Sequence, residues 1–190
     1  MLCLTCKNLS FQIICKDCQT NLLIPSFHKR EIEDGFFNYS FYTLSELEDL
    51  ISSKYYFHGD KVFNILAKLS FAKFAQNFEF PSQVIAIPID DHTRHDFSHT
   101  AILARYLKSQ FITPKYNTLK ATNIVKYAGK DLEFRQKNPR KFKVSNISSQ
   151  ITILCDDIIT TGETIKQAKK ALEKKNNEVL FSLTLADAKL

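Results

Sequence analysis

The sequence predicts an open, mostly parallel α/β sheet of strands and helices, with a small cysteine-rich appendage at its N-terminus. Three observations carry that reading. Val84–Ile89 (VIAIPI) and Ile151–Cys155 (ITILC) are short apolar runs rich in β-branched residues, as in strands covered on both faces. Helical periodicity follows each, over Ala101–Leu107 and Thr164–Lys175, and Val179–Leu185 supplies a third strand. Strands alternating with helices build parallel sheets. Finally, four of the five cysteines fall within the first 18 residues.

Those four, Cys3, Cys6, Cys15 and Cys18, are spaced C-x2-C-x8-C-x2-C. Each C-x2-C turn aims two thiolates at one point, and two turns complete the tetrahedron of a closed structural Zn2+ site. Residues 1–25 are too few to fold on their own apolar surface, so the metal would supply the folding energy of this knuckle. Disulfides and an iron–sulfur cluster are the alternatives the spacing leaves open. Such a knuckle can bind DNA or dock onto its own chain. Cys155, inside an apolar run, reads as a small buried hydrophobe.

Residues 36–190 are expected to form the α/β domain. Residues 36–42 (FFNYSFY) alternate as an extended segment, and Thr43 with Glu46 has the spacing of a capping box that opens a helix. Asp60 is placed to cap a second helix, with Val62, Ile65, Leu66 and Leu69 on one face. Residues 108–150 carry the weakest pattern and read as a flexible basic excursion.

Charge is unevenly spread. The net charge is +6, yet residues 1–53 hold four Lys/Arg against seven Asp/Glu, which leaves +9 on the remainder. Within Lys115–Lys143, nine basic residues face only Asp131 and Glu133. A basic stripe attracts polyanions, either nucleic acid or a phosphorylated metabolite, and is otherwise a solvated surface. The aromatics Tyr116, Tyr127, Phe134 and Phe142 in it would stack on bases or belong to the core. There is no run of 18 apolar residues and no charged start followed by an apolar stretch, so a cytoplasmic protein is expected.

The most informative stretch is ITILCDDIITTGETI, Ile151–Ile165. An apolar strand has no structural use for two acids at its end, and ligands of open parallel sheets bind at the carboxyl ends of strands. Behind Asp156 and Asp157, the loop Thr160, Thr161, Gly162, Glu163, Thr164 leads into a helix. Amides at a helix N-terminus and threonine hydroxyls bind a phosphate, and Gly162 permits a special backbone shape and a close approach. Two carboxylates nearby accept hydrogen bonds from vicinal hydroxyls. Phosphate and two hydroxyls describe a ribose 5-phosphate. A Walker loop is absent, and paired aspartates holding Mg2+ would leave the Thr-Thr-Gly loop unexplained. The plain alternative is a strand, a turn and a capped helix.

LCDDIITTGET resembles the phosphoribosyl pyrophosphate (PRPP) signature of type I phosphoribosyltransferases. The resemblance implies that fold, with Asp156 and Asp157 on the ribose hydroxyls and Thr160 through Thr164 on the 5-phosphate. The four-cysteine knuckle ahead of such a domain resembles the ComF family, linked to DNA uptake in natural transformation. KYYFHGD (Lys54–Asp60), IAIPIDDHTRHDFSHTAILA and FRQKNPRKF (Phe134–Phe142) are similar, in order, to further segments of that family, with Arg135 and Asn138 kept. Where the family reads Arg-Gly-Phe-Asn-Gln, this chain has His95-Asp96-Phe97-Ser98-His99 and keeps only Phe97. By the resemblance, Arg94 and His95 would serve the diphosphate, with Mg2+ offsetting Asp96. His92, His95 and His99 read as a surface or substrate-contact cluster ahead of a metal site, because the stretch begins as a loop.

The function these readings imply is PRPP binding with Mg2+ in the uptake of transforming DNA, with or without transfer chemistry. A second reading is a non-catalytic module for single-stranded DNA, contacted through Lys126, Lys130, Arg135, Lys137, Arg140 and Lys141. A third is a nucleotide-salvage phosphoribosyltransferase. DNA-uptake proteins at the inner face of the membrane would be further partners.

Overall fold

The structure is a computed structural model that describes residues 1–89, 97–123 and 140–190. It is a mixed α/β fold with a mostly parallel sheet and an N-terminal four-cysteine cluster. Helix α1 (Lys16–Asn21) precedes the hairpin β1 (His28–Glu33) and β2 (Phe36–Thr43). Then come α2 (Leu44–Ile51), a 3-10 turn (Ser52–Tyr55), α3 (Gly59–Leu69), α4 (Phe71–Asn77), β3 (Val84–Pro88) and α5 (His99–Arg105). Short strands β4 (Ile112–Pro114), β5 (Leu119–Ala121) and β6 (Phe142–Val144) lead to β7 (Ile151–Ile159), α6 (Glu163–Glu173) and β8 (Glu178–Asp187).

The main sheet has the order β1-β2-β8-β7-β3-β4, all neighbours parallel except β1 with β2. Strand β7 lies inside it and is apolar on both faces, as the unbroken run ITILC requires. Successive side chains alternate between faces. Ala86, Ile153 and Cys155 pack toward α2, α3 and α5, where Leu47, Val62, Phe63, Leu66 and Leu103 complete one core. Ile87 and Leu154 pack the other way, with Ile165, Ala168 and Leu172 of α6. Cys155 is fully buried and free, as expected of a small hydrophobe.

Several local expectations hold. Thr43 and Glu46 form the capping box of α2, with Glu46 N donating to Thr43 Oγ1 and Thr43 N to Glu46 Oε2. Others are corrected. Asp60 does not cap the second helix: that helix starts at Gly59 with His58 at the cap, and Asp60 lies in its first turn, where a negative charge suits the helix dipole. Strand β7 does not stop at Cys155 but runs through both acids to Ile159, because β8 continues alongside it, Asp156 opposite Thr184 and Ile159 opposite Asp187. The basic excursion is framed by the β5–β6 hairpin, a separate two-stranded sheet; residues 124–139 between its strands lie outside the described residues.

The N-terminal segment is docked rather than free-standing. Cys3, Ile14, Cys18 and Leu23 are buried and join the core that contains Phe41 and Leu66. No helix among the described residues is long and apolar enough to cross a membrane.

Candidate functional site

The pairing of β3 with β7 ends at Pro88 opposite Cys155, with Ile89 N donating to Cys155 O at 2.8 Å. Asp156 and Asp157 follow immediately, past the last bond to that neighbour among the described residues. Being adjacent in a strand, they are set toward opposite faces of the sheet.

Asp157 follows Ile153 and Cys155 to the α3–α5 face. Its Oδ2 accepts from Lys54 Nζ at 2.6 Å and lies 3.3 Å from His99 Nε2, while Oδ1 accepts from Ile158 N at 2.8 Å. Burial opposes the charge of this carboxylate, but Lys54 and His99 outweigh it and hold Asp157 well below the usual carboxylate range. Lys54 is raised in turn: burial opposes its charge, and the adjacent Asp157 overcomes that. Asp156 takes the other course. Burial, then the neighbouring Asp157, push it well above the usual value, with Lys54 and Arg140 pulling only partly back. Its Oδ1 accepts from Asp157 N at 2.9 Å. Two neighbouring acids are thus driven apart in proton affinity.

The loop that follows turns into α6 at Gly162, whose φ of 83° lies in the left-handed region. Glycine is the residue that adopts it without penalty. A Cβ at Gly162 would also stand 2.6 Å from Ile32 Cγ2 of β1. The close approach expected here is therefore made by the β1 hairpin, on the packed side of the loop. Helix α6 makes its first internal bond from Lys166 N to Gly162 O, and the first amides of any helix have no partner within it. Thr160, Thr161 and Thr164 are half-buried around that start. The Glu163 side chain is bound to Lys166 Nζ at 3.0 Å, so this residue can offer an anion only its amide.

Sequence reasoning noted Lys54 and His99 within larger segments without giving either a partner. It missed Arg30 and Asp187. Arg30 Nη1 donates to Asp187 Oδ1 at 2.7 Å and Nη2 to Thr160 O at 3.0 Å. No local pattern could reveal a contact spanning 130 residues. Arg140 N donates to Gln167 Oε1 of α6 at 2.7 Å, which ties the base of the β5–β6 excursion to the same helix. Lys141 is exposed beside it. Arg94, His95, Lys126, Lys130, Arg135 and Lys137 lie outside the described residues, as do His92, Tyr127 and Phe134. Phe142 is partly buried against the α6-side core, whereas Tyr116 is exposed.

The four N-terminal cysteines form a second candidate centre. Their sulfurs all lie within 4.8 Å of one another, with Cys3–Cys18 at 3.9 Å and Cys6–Cys15 at 3.8 Å. All are free, far beyond disulfide length. Four sulfurs at the usual Zn–S distance of ~2.3 Å stand roughly 3.8 Å apart, so the donor set fits one tetrahedral zinc. Amides orient it: Cys15 N donates to Cys3 Sγ at 3.3 Å and Cys18 N to Cys15 Sγ at 3.4 Å. Burial works against a thiolate at Cys3, yet amide donors led by Cys15 hold it down at about 6. Burial and the neighbouring thiols push Cys18 up to about 12. A shared cation would resolve that conflict.

The chain matches no family model, and no curated protein matches it in sequence. Similar solved structures include a hypoxanthine phosphoribosyltransferase from Staphylococcus aureus, at 13% identity over 67% of this chain and 64% of that one, with a TM-score of 0.45. The UMP synthase of Leishmania donovani aligns with 90% of this chain and 31% of its own length, at 15% identity and a TM-score of 0.42. An adenine phosphoribosyltransferase aligns over 88% of this chain and 89% of its own, at 13% identity and a TM-score of 0.39. The chain thus spans less than two thirds of the first two proteins, and at these identities and TM-scores none of the three bears on what it does.

Proposed function

We propose that the chain is a PRPP-binding protein of the ComF kind, with its ligand seated at the carboxyl end of β7. One observation carries this: Asp156 and Asp157 stand where β7 leaves β3, a few residues from a left-handed glycine that opens a helix, with the Glu163 amide on the Thr161 hydroxyl at 3.4 Å. Asp156 and Asp157 receive the ribose hydroxyls, Asp157 by giving up part of its contact with Lys54 and His99. The 5-phosphate sits on the loop, through the hydroxyls of Thr160, Thr161 and Thr164 and the amides of Gly162 and Glu163. Mg2+ would neutralise the diphosphate beside these carboxylates. In a transfer reaction the bond from the anomeric carbon to the diphosphate breaks, its electron pair leaves with pyrophosphate, and the acceptor bonds to that carbon. Carboxylates favour the cationic ribosyl centre that forms between.

Thermal unfolding with PRPP and Mg2+ tests the site. Ligand at ~100 times its dissociation constant stabilises the folded state by about 2.7 kcal/mol. Asp156→Asn abolishes that shift. Because burial disfavours the Asp156 charge, the unliganded variant is at least as stable as the parent near pH 7. A parent that PRPP does not stabilise defeats the proposal.

Single-stranded DNA binding is favoured by a separate observation. Lys120 and Lys143 stand directly opposite each other on the β5–β6 hairpin, both exposed. Like charges so placed cost stability, and a polyanion relieves them. Together with Arg140 and Lys141 they form the nucleic-acid surface in this reading; Lys126, Lys130, Arg135 and Lys137 lie outside the described residues. Fluorescence anisotropy with a single-stranded oligonucleotide checks it. Each lost phosphate contact flattens the log–log salt slope by about 0.7, so Lys120→Ala/Lys143→Ala flattens it by about 1.4. An unchanged slope removes the hairpin from the interface. A cytoplasmic role in DNA uptake, at the inner face of the membrane with other uptake proteins, follows from the same reading. A salvage transferase would instead release pyrophosphate with a free base.

A further inference from the structure

The loop assigned to the 5-phosphate is held from behind by an element far away in the chain. Among the described residues, strand β1 is an edge strand paired only with β2, and an edge strand has no need of a half-buried guanidinium. Yet Arg30 sends one nitrogen to Asp187 at the end of β8 and the other to the carbonyl of Thr160. Two positions on, Ile32 fills the space that Gly162 leaves for lack of a Cβ. Glu33 binds Lys169 of α6 at 3.0 Å, and Lys169 lies over the Phe36 ring. The hairpin therefore grips the loop and its helix at successive levels.

Asp187 explains why the cation must be an arginine. Its side chain is fully buried, and Oδ1 accepts both Arg30 and Lys189 N at 2.8 Å. Oδ2 is buried with no hydrogen-bond partner among the described residues, so the carboxylate depends on Arg30 for its charge balance. A planar fork reaches a carboxylate and a carbonyl at once, which a lysine ammonium at the end of a flexible stem does less well.

We infer that Arg30 is a positioning residue: it locks the Thr160–Gly162 turn in its anion-binding shape before any ligand arrives, without touching the ligand. This rests on the PRPP reading only for the identity of the anion. The brace itself concerns the shape of the loop.

The test uses the full chain and two variants. Arg30→Lys keeps a cation beside Asp187 but gives up the fork. Arg30→Gln/Asp187→Asn replaces the ion pair by neutral groups and separates folding from positioning. Hydrogen exchange of the amides of residues 160–165, without ligand, is expected to quicken at least tenfold in both, at a temperature well below melting where each remains folded. Ribose 5-phosphate and PRPP are expected to bind about tenfold more weakly, a loss of about 1.4 kcal/mol. Loop exchange as slow in Arg30→Lys as in the parent overturns the inference, and so does unaltered ligand affinity despite a loosened loop. Faster loop exchange in a chain whose parent form binds neither ligand supports the brace and refutes the PRPP reading.

Discussion

Replacing Cys18 by serine is expected to empty the N-terminal centre of zinc and to weaken the fold well beyond residue 25. The parent is expected to carry one zinc per chain by elemental analysis, and the variant less than about a tenth of that. Structural zinc in isolated finger peptides is worth about 10–16 kcal/mol of apparent binding free energy, which is also their folding free energy. Here part of that energy is shared with docking, since Cys3, Ile14, Cys18 and Leu23 belong to the core shared with Phe41 and Leu66. Losing the metal therefore frees the segment and exposes the apolar residues it covers. A chelator tight enough to strip the parent reproduces the variant's lower melting temperature. A Cys18→Ser protein that keeps its zinc, or a parent made under reducing conditions with none, would contradict this account.

Lys54→Ala should destabilise the chain by about 3–5 kcal/mol, as expected when one partner of a buried ion pair is removed. The side chains of Lys54 and Asp157 are 18% and 9% exposed, so little water reaches the carboxylate left behind. Lys54→Met/Asp157→Asn, which removes both charges, should cost less than half as much. The pH dependence follows from the directions of the shifts. Asp157 is lowered in the folded state, so its contribution is present above the unfolded value near 3.9 and is lost as pH falls toward the folded one. Lys54 is raised, so its contribution is full below about 10.4 and is lost as pH climbs through the folded value. Asp156, raised for burial, has the opposite sign to Asp157: the folded chain holds that proton more tightly, and stability declines as pH rises from about 3.9 to its folded value. Denaturant unfolding from about pH 2 to 8 separates the two aspartates, and the Lys54 window lies above that range. Lys54→Ala should lose the fall in stability on acidification that Asp157 causes, and Asp156→Asn should lose the decline on the neutral side. A Lys54→Ala chain as stable as the parent at pH 7 would show the pair to be solvated.

Much of the candidate site was legible because its chemistry is contiguous. Asp156, Asp157, Thr160, Thr161, Gly162 and Thr164 occupy one short stretch, and each is out of place in an ordinary strand and turn. The cysteines are equally local, since two C-x2-C turns aim their sulfurs wherever they lie. The use made of Gly162 was only half legible: its positive φ could be anticipated from its position before a helix, but not that Ile32 would occupy the space beside it. The end of β7 was misplaced because apolar pattern stops at Cys155, whereas strand continuation depends on the partner β8, which runs alongside to Asp187.

By itself, then, the sequence determined the central elements and the candidate chemistry: buried strands from unbroken apolar runs, the main helices from their period, and a four-cysteine set and an acid–threonine–glycine loop from spacing. The β1 edge strand, α1, α4 and the short strands β4 to β6, by contrast, carry too little pattern to be read. The tertiary structure decided how those groups are charged and held. It set Lys54 and His99 on Asp157 but left Asp156 with the cost of burial, and it brought Arg30 across 130 residues to Thr160. The physical reason is that proton affinity and loop rigidity depend on which charges and dipoles lie within a few ångströms, and those neighbours come from chain distances that no local pattern spans.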